Sequence, residues 1–265
     1  MRKSLLDLQA MKMRGEKIAM LTCYDSSFAR ILEQGGVDAL LIGDSLGMVI
    51  QGHDSPLPVT VADIAYHTRC VVRGASTPFI LADMPFGSSQ ITPEETFRNA
   101  AELMRAGAQM VKIEGGASMV PTIEFLVTRG IPVCAHVGLT PQSVHQFGGF
   151  KVQGREAEGA QRILSDALAL EMAGASLILI EAVPREVAEH LCTHLHVPTI
   201  GIGASPECAG QVLVVYDIIG MGAEVAPRFV RPFIREAGSI EGAVHCYVTA
   251  VKSGNFPGAE HCYAL

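Results

Sequence analysis

The 265-residue chain has no tryptophan, only five tyrosines and no cluster of lysines or arginines. Duplex binding needs a concentrated basic surface and single-strand binding needs aromatic platforms, so nucleic acid is excluded as the main partner. The formal charge of −7 agrees with that exclusion. No apolar run approaches the roughly 18 residues of a membrane helix. Near the amino terminus, Arg2 and Lys3 are followed by Asp7, Gln9, Lys12 and Arg14 rather than by the apolar stretch of a signal peptide. The seven cysteines include no CxxC pair, as expected of reduced thiols in a cytoplasmic protein. A GxSxG elbow is missing, which removes serine acyl transfer. A full GxGxxG is missing too: Gly201-Ile202-Gly203 comes late and incomplete, which counts against an open dinucleotide-binding sheet. No Ser/Pro-rich linker or charge run divides residues 1–265, so one domain is expected.

What the chain does contain is a series of short apolar runs, each ending in a polar side chain. The run at 39–42 ends in Gly43-Asp44-Ser45, that at 79–82 in Asp83, and that at 110–113 in Glu114. Residues 133–135 lead to His136, and 177–180 to Glu181. Buried parallel strands read this way and deliver chemistry at their carboxyl ends. Helix signals lie between the runs. Asp25 and Ser26 are caps, Gly35-Gly36, Gly107 and Gly130 are stops, and Thr92-Pro93-Glu94-Glu95 combines an N-cap, a first-turn proline and a capping-box glutamate. Further strands are expected at 18–22, 197–203 and, less distinctly, 212–215. Strands and helices alternating at this spacing predict an α/β protein, a single-domain (β/α)8 TIM barrel with a short amino-terminal helix and a loose carboxyl-terminal tail. Residues 138–154 are rich in glycine and glutamine and lack helical spacing, which marks a candidate lid.

Asp44, Asp83 and Glu114 in one pocket would repel one another unless a cation sat among them. All-oxygen donors select a hard ion, Mg²⁺ ahead of Ca²⁺, with room left for water and substrate. Lys112 is two residues before Glu114 and shares its face, which places an ammonium beside the acids to pair with a substrate carboxylate. A single such acid would read as a helix cap, but five coordinated strand ends do not. Glu181 follows four apolar residues, and dry surroundings would suit it as a proton acceptor; its bland alternative is a cap for the helix near Pro184. His136 reads equally as a donor to a substrate oxygen or as filler of the barrel mouth. His190, Cys192, His194 and His196 have zinc-ligand types, but they fall on an outer helix and its exit and are set aside.

Seven blocks in order resemble the ketopantoate hydroxymethyltransferase family over nearly the whole chain. They are IAMLTCYD (18–25), GDSLGMVIQGHDSPLPVT (43–60), ADMPFGS (82–88), VKIEGG (111–116), HVGLTPQ (136–142), IEAVP (180–184) and TIGIGA (199–204). The resemblance implies a Mg²⁺-dependent barrel that transfers a hydroxymethyl group from 5,10-methylenetetrahydrofolate to 3-methyl-2-oxobutanoate, giving 2-dehydropantoate for pantothenate synthesis. It implies Asp44 and Asp83 as metal ligands with Glu114 in the same metal site, Ser45 and Lys112 on the oxo acid, and Glu181 as proton acceptor. It also implies a homodecamer. The chain departs from the family pattern at Ser205, where glycine is usual, and at Tyr216, where histidine is usual. Both departures are expected beside the pocket wall. The enzyme rival is another Mg²⁺-dependent lyase or mutase acting on 2-oxo acids; a non-catalytic barrel is the other alternative, and a buried charge cluster counts against it.

Overall fold

The computed structural model describes residues 1–222 and 226–265. Eight parallel strands close into a barrel in sequence order. They are β1 (Ile18–Thr22), β2 (Ala39–Ile42), β3 (Phe79–Asp83), β4 (Met110–Glu114), β5 (Val133–Gly138), β6 (Leu177–Glu181), β7 (Thr199–Ile202) and β8 (Gly210–Leu213). Nearly every strand residue is buried, because one face fills the barrel and the other lies under helices. Register then brings polar residues together at the mouth: Asp83 lies opposite Lys112 and Glu114 opposite His136.

Helix ends follow the local chemistry. The Asp25 carboxylate accepts from the N–H groups of Ser27 (2.7 Å) and Phe28 (2.9 Å), starting the helix Ser26–Gln34. Thr92 caps Pro93–Ala106 by accepting from the Glu95 N–H, and Gly107 ends that helix in the left-handed region (φ 113°). Reciprocal capping boxes, which the sequence placed at Thr92/Glu95, form instead at Ser4/Asp7 and Thr60/Asp63. The shorter aspartate reaches back to the cap N–H there, while Glu95 serves through its backbone.

Three expectations need correction. The eighth strand starts two residues before the predicted 212–215, at Gly210, and residues Val215–Ile218 are a helical turn. An apolar run marked the strand in sequence, but register is decided by close approach: a Cβ at Gly210 would strike the Ile18 carbonyl across the seam. Residues 138–154 are not structureless throughout, since Pro141–Ser143 is a 3₁₀ turn and Val144–Phe147 a helical turn. The tail is not loose. His261 and Cys262 are buried, Tyr263 bridges to Pro184, and the Arg185 N–H donates to the Tyr263 carbonyl at 2.7 Å. Those partners are remote in sequence, so local spacing carries no sign of them. Among the described residues, no helix is long and apolar enough to cross a membrane.

The barrel closes between β8 and β1, from Ile18 opposite Gly210 to Leu21 opposite Leu213. Tyr247, on the helix Ile240–Lys252, latches this seam from outside, its buried hydroxyl 2.8 Å from the Met20 carbonyl and 2.9 Å from that of Gln211. Tyr247→Phe should therefore cost about 1–2 kcal/mol. A melting temperature lower by about 2–6 °C, followed by circular dichroism, is the expected outcome.

Candidate active site

Six of the predicted residues line a single cavity of about 560 Å³ at the carboxyl ends of the strands: Asp44, Asp83, Lys112, Glu114, His136 and Glu181. Ser45, the seventh, lines it as well. The Asp44 backbone N–H donates to Asp83 Oδ2 at 2.9 Å, tying the ends of β2 and β3 together. Gly43 permits this turn, since a Cβ there would lie 2.7 Å from Ser45 Oγ. Lys112 Nζ stands 3.3 Å from Asp83 Oδ1, 3.2 Å from Glu114 Oε1 and 3.3 Å from His136 Nδ1. His136 links two acids, with Nδ1 3.3 Å from Glu114 Oε1 and Nε2 3.3 Å from Glu181 Oε2. The cluster is almost dry: Asp44, Asp83, Lys112, Glu114 and His136 are all at most 5% exposed.

Glu181 differs from the expectation of dry surroundings. Its side chain keeps 15% exposure, because the last residue of β6 leans toward the open mouth rather than back along the apolar run. Its partner, His136, is what distinguishes it from a simple cap. His136 lies between Glu114 and Glu181 at ion-pair distance from both, with its buried Nε2 left without a hydrogen bond.

Electrostatics sorts the three buried acids. Burial raises Asp44, and the charges of Asp83 and Glu114 raise it further against Lys112 and Gln142. Burial also raises Asp83, with Lys112 and the Asp44 N–H offsetting only part. Glu114 feels burial too, but Lys112, His136 and the Gln142 N–H outweigh it and bring its carboxyl down to about 2. Burial would lower Lys112, yet Asp83, Glu114 and Asp44 hold its ammonium above the ordinary lysine range. For His136, burial and Lys112 act downward, and the neighbouring Glu114 and Glu181 carboxylates carry it up to about 8.

Gln142 is one residue of the site that was missed from sequence. Gln142 donates through Nε2 to Asp44 Oδ2 (2.8 Å) and to the Met84 carbonyl (2.8 Å), while its backbone N–H donates to Glu114 Oε2 (2.9 Å). Gln90 in turn donates to its side-chain oxygen at 3.0 Å. The available signal was Pro141, which starts a turn three residues past the end of β5 and so near the barrel mouth. Tyr24 was missed as well; its hydroxyl is 2.9 Å from Ser45 Oγ.

Neither departure from the family pattern lines the cavity. Tyr216 stacks on Tyr24 with centroids 5.9 Å apart, and so backs the wall through Ser45's partner. Ser205 is fully buried in the β7–β8 connection, where its carbonyl accepts from Gln211 at 2.9 Å. The zinc-type residues lie outside the mouth: the Cys192 thiol turns toward Cys208 (3.6 Å), and His194 Nδ1 pairs with the His190 carbonyl (2.8 Å). Among the described residues, no group of three or more His, Cys, Asp and Glu side chains converges as a metal cage.

A closed parallel barrel with buried ionisable groups at its carboxyl ends defines a (β/α)8-barrel enzyme. The comparisons with known proteins narrow that class. The chain belongs to the ketopantoate hydroxymethyltransferase family, whose profile matches residues 2–259. The protein named 3-methyl-2-oxobutanoate hydroxymethyltransferase from Nitrosospira multiformis is 61% identical over 249 residues, covering 94% of this chain and 95% of its own. Its namesake from Azoarcus sp. is 60% identical over 261 residues, covering 98% and 96%. Among solved structures, phosphonopyruvate hydrolase in complex with oxalate and Mg²⁺ aligns with TM-score 0.63 at 15% identity, over 98% of this chain and 93% of that one. A phosphonomutase-like protein from Burkholderia cenocepacia aligns with TM-score 0.63 at 16% identity, over 82% and 95%. At such identities the likeness concerns the fold.

The His136 bridge makes stability depend on pH in metal-free protein. The folded pKa of about 8 lies above the ordinary 6.5, so its stabilisation is complete below 6.5 and is lost as pH rises through 8. The loss amounts to roughly 2 kcal/mol. His136→Gln should remove that part of the slope in chelator-treated protein. NMR should show the native imidazole titrating near 8, and a midpoint at or below 6.5 contradicts the bridge.

Proposed function

We propose that the chain transfers a hydroxymethyl group from 5,10-methylenetetrahydrofolate to 3-methyl-2-oxobutanoate, giving 2-dehydropantoate in pantothenate and coenzyme A synthesis. Family membership over residues 2–259 supports the activity. One geometric observation carries the residue assignment: Glu181 faces the same cavity as the buried Asp44, Asp83, Lys112 and Glu114.

The donor set fits Mg²⁺. Asp83 Oδ1 is buried without a hydrogen bond, and three carboxylates against one ammonium leave a formal −2, which a divalent ion balances. Asp44 and Asp83 would hold the ion directly. Glu114 stands one layer out, since Lys112 and His136 engage one of its oxygens and Gln142 the other. When bound there, Mg²⁺ supplies Lewis-acid polarisation of the substrate's keto group.

The chain's own residues do the rest. Lys112 and Ser45 hold the oxo acid carboxylate, and the Tyr24 hydroxyl fixes the Ser45 rotamer. His136, anchored on Glu114, orients Glu181. Glu181 takes the proton from C3, the freed electron pair of C3 bonds to the one-carbon unit opened from the donor, and one water supplies the hydroxyl as the carbon–nitrogen bond to the departing tetrahydrofolate breaks. Leu139, Phe150 and Val152 bring the 138–154 segment to the cavity wall, where it acts as a lid that keeps bulk water from the deprotonated substrate. By family resemblance the enzyme is a cytoplasmic homodecamer; sedimentation as a monomer contradicts that assembly.

Hydrogen–deuterium exchange at C3 of 3-methyl-2-oxobutanoate, followed by NMR with Mg²⁺ and no folate, tests this reading. Wild-type protein should exchange, and a chelator or Asp44→Ala should abolish it. Glu181→Gln should slow it by about 10²–10⁴-fold. Absence of exchange, together with no turnover when the folate donor is added, overturns the proposal.

A further inference from the structure

The segment after Glu181 is held in an unusual backbone state. Ala182 has φ 45°, and among the described residues it is the one non-glycine position in the left-handed region. A side chain with a Cβ resists that conformation, so it persists only where its surroundings impose it. Part of the restraint comes from neighbouring strand ends. The Ala182 N–H donates to the Ile202 carbonyl (2.9 Å), the Leu139 N–H to the Glu181 carbonyl (2.9 Å) and the Gln153 N–H to the Ala182 carbonyl (3.0 Å).

The other side of the turn is held by the tail. Tyr263 pairs in parallel with Pro184 and accepts from the Arg185 N–H at 2.7 Å. Its ring enters the catalytic cavity and lines it with Glu181 and Ala182. Gly203 makes the notch for that ring: its φ is 58°, and a Cβ there would lie 3.0 Å from Tyr263 Cε2 and 2.6 Å from Phe229 Cδ1. Both flanking carbonyls are clamped, Cys262 by Arg228 Nη1 (3.3 Å) and Ala264 by Arg155 Nη1 (3.2 Å). Further back, the His261 ring packs 5.1 Å from that of Phe256. Burial raises the Tyr263 phenol and the Glu181 charge adds to the rise, as expected of two groups that share one space.

We propose that residues 259–264 form a strap that aims the Glu181 carboxylate, with Tyr263 as its positioning residue. The inference rests on Glu181 as proton acceptor. Ring packing in the Gly203 notch sets the strap, the strap's carbonyl fixes Arg185, and the strained turn between Glu181 and Arg185 is thereby held. Release of the strap leaves the oxo acid's own contacts intact but lets the carboxylate leave the line of the C3 proton.

C3 exchange at saturating Mg²⁺, resolved into kcat and KM, tests the strap. Tyr263→Ala should lower kcat by about 10–100-fold, the scale expected for a small misplacement of a catalytic group, with KM nearly unchanged. Tyr263→Phe keeps the ring and should retain most of kcat. Arg185→Pro removes the N–H donor at a first helical position, where proline fits, and should give the same kcat-selective loss. If Tyr263→Ala unfolds at the assay temperature, Arg185→Pro decides alone. Unchanged kcat in both variants overturns the proposal, as does a KM that rises in step with the loss. A Tyr263→Phe as impaired as Tyr263→Ala overturns it too, by moving the role to the hydroxyl. Glu181→Gln separates the two levels. If it exchanges at the wild-type rate, the proton-acceptor reading fails; if it is inert while Tyr263→Ala and Arg185→Pro are fully active, the strap alone fails.

Discussion

An ammonium group 3.3 Å from Asp83 and 3.2 Å from Glu114 is what lets three carboxylates share one buried barrel mouth. Lys112 itself is only 3% exposed, so it cannot draw on water to balance the acids or itself. Removing one partner from such a buried set leaves uncompensated charge and costs about 3–5 kcal/mol. The surrounding structure serves that arrangement. β3 and β4 bring Asp83 opposite Lys112, β5 adds His136 beside Glu114, and Gln142 returns from the following loop to cross-link Asp44 and Glu114. The formal excess of negative charge is the physical ground for the proposed cation.

The same cluster divides its labour by environment. Glu114, bonded through both oxygens, is held strongly acidic and works as an electrostatic anchor for Lys112 and His136. Burial raises Asp44 and Asp83, and their protein partners offset only part of that rise. Glu181 sits at the rim and meets the buried set at His136, 3.3 Å away. The four carboxylates thus differ by their partners and, for Glu181, by its greater exposure.

Most of this was legible in the sequence for a simple reason. In a parallel barrel, an apolar run that stops at a charged residue marks both the strand and its functional end, so Asp44, Asp83, Lys112, Glu114, His136 and Glu181 could be named before their geometry was known. Gln142 and Tyr263 were not named, because each acts through contacts with residues far away in the chain: Asp44 for the first, Pro184 and Arg185 for the second. The start of β8 was misplaced for a related reason. Hydrophobicity favours Val212 to Val215, whereas barrel closure requires Gly210 against Ile18. The depth of Glu181 was overestimated because the character of a run describes the strand interior and not the residue that leaves it.

Mn²⁺ binding followed by electron paramagnetic resonance, with and without 3-methyl-2-oxobutanoate, tests the central claim most directly. The account predicts one site per chain that Asp83→Ala abolishes, an affinity that the oxo acid increases, and loss of that increase in Lys112→Met. Equal Mn²⁺ binding by wild type and Asp83→Ala, or binding indifferent to the oxo acid, would contradict it.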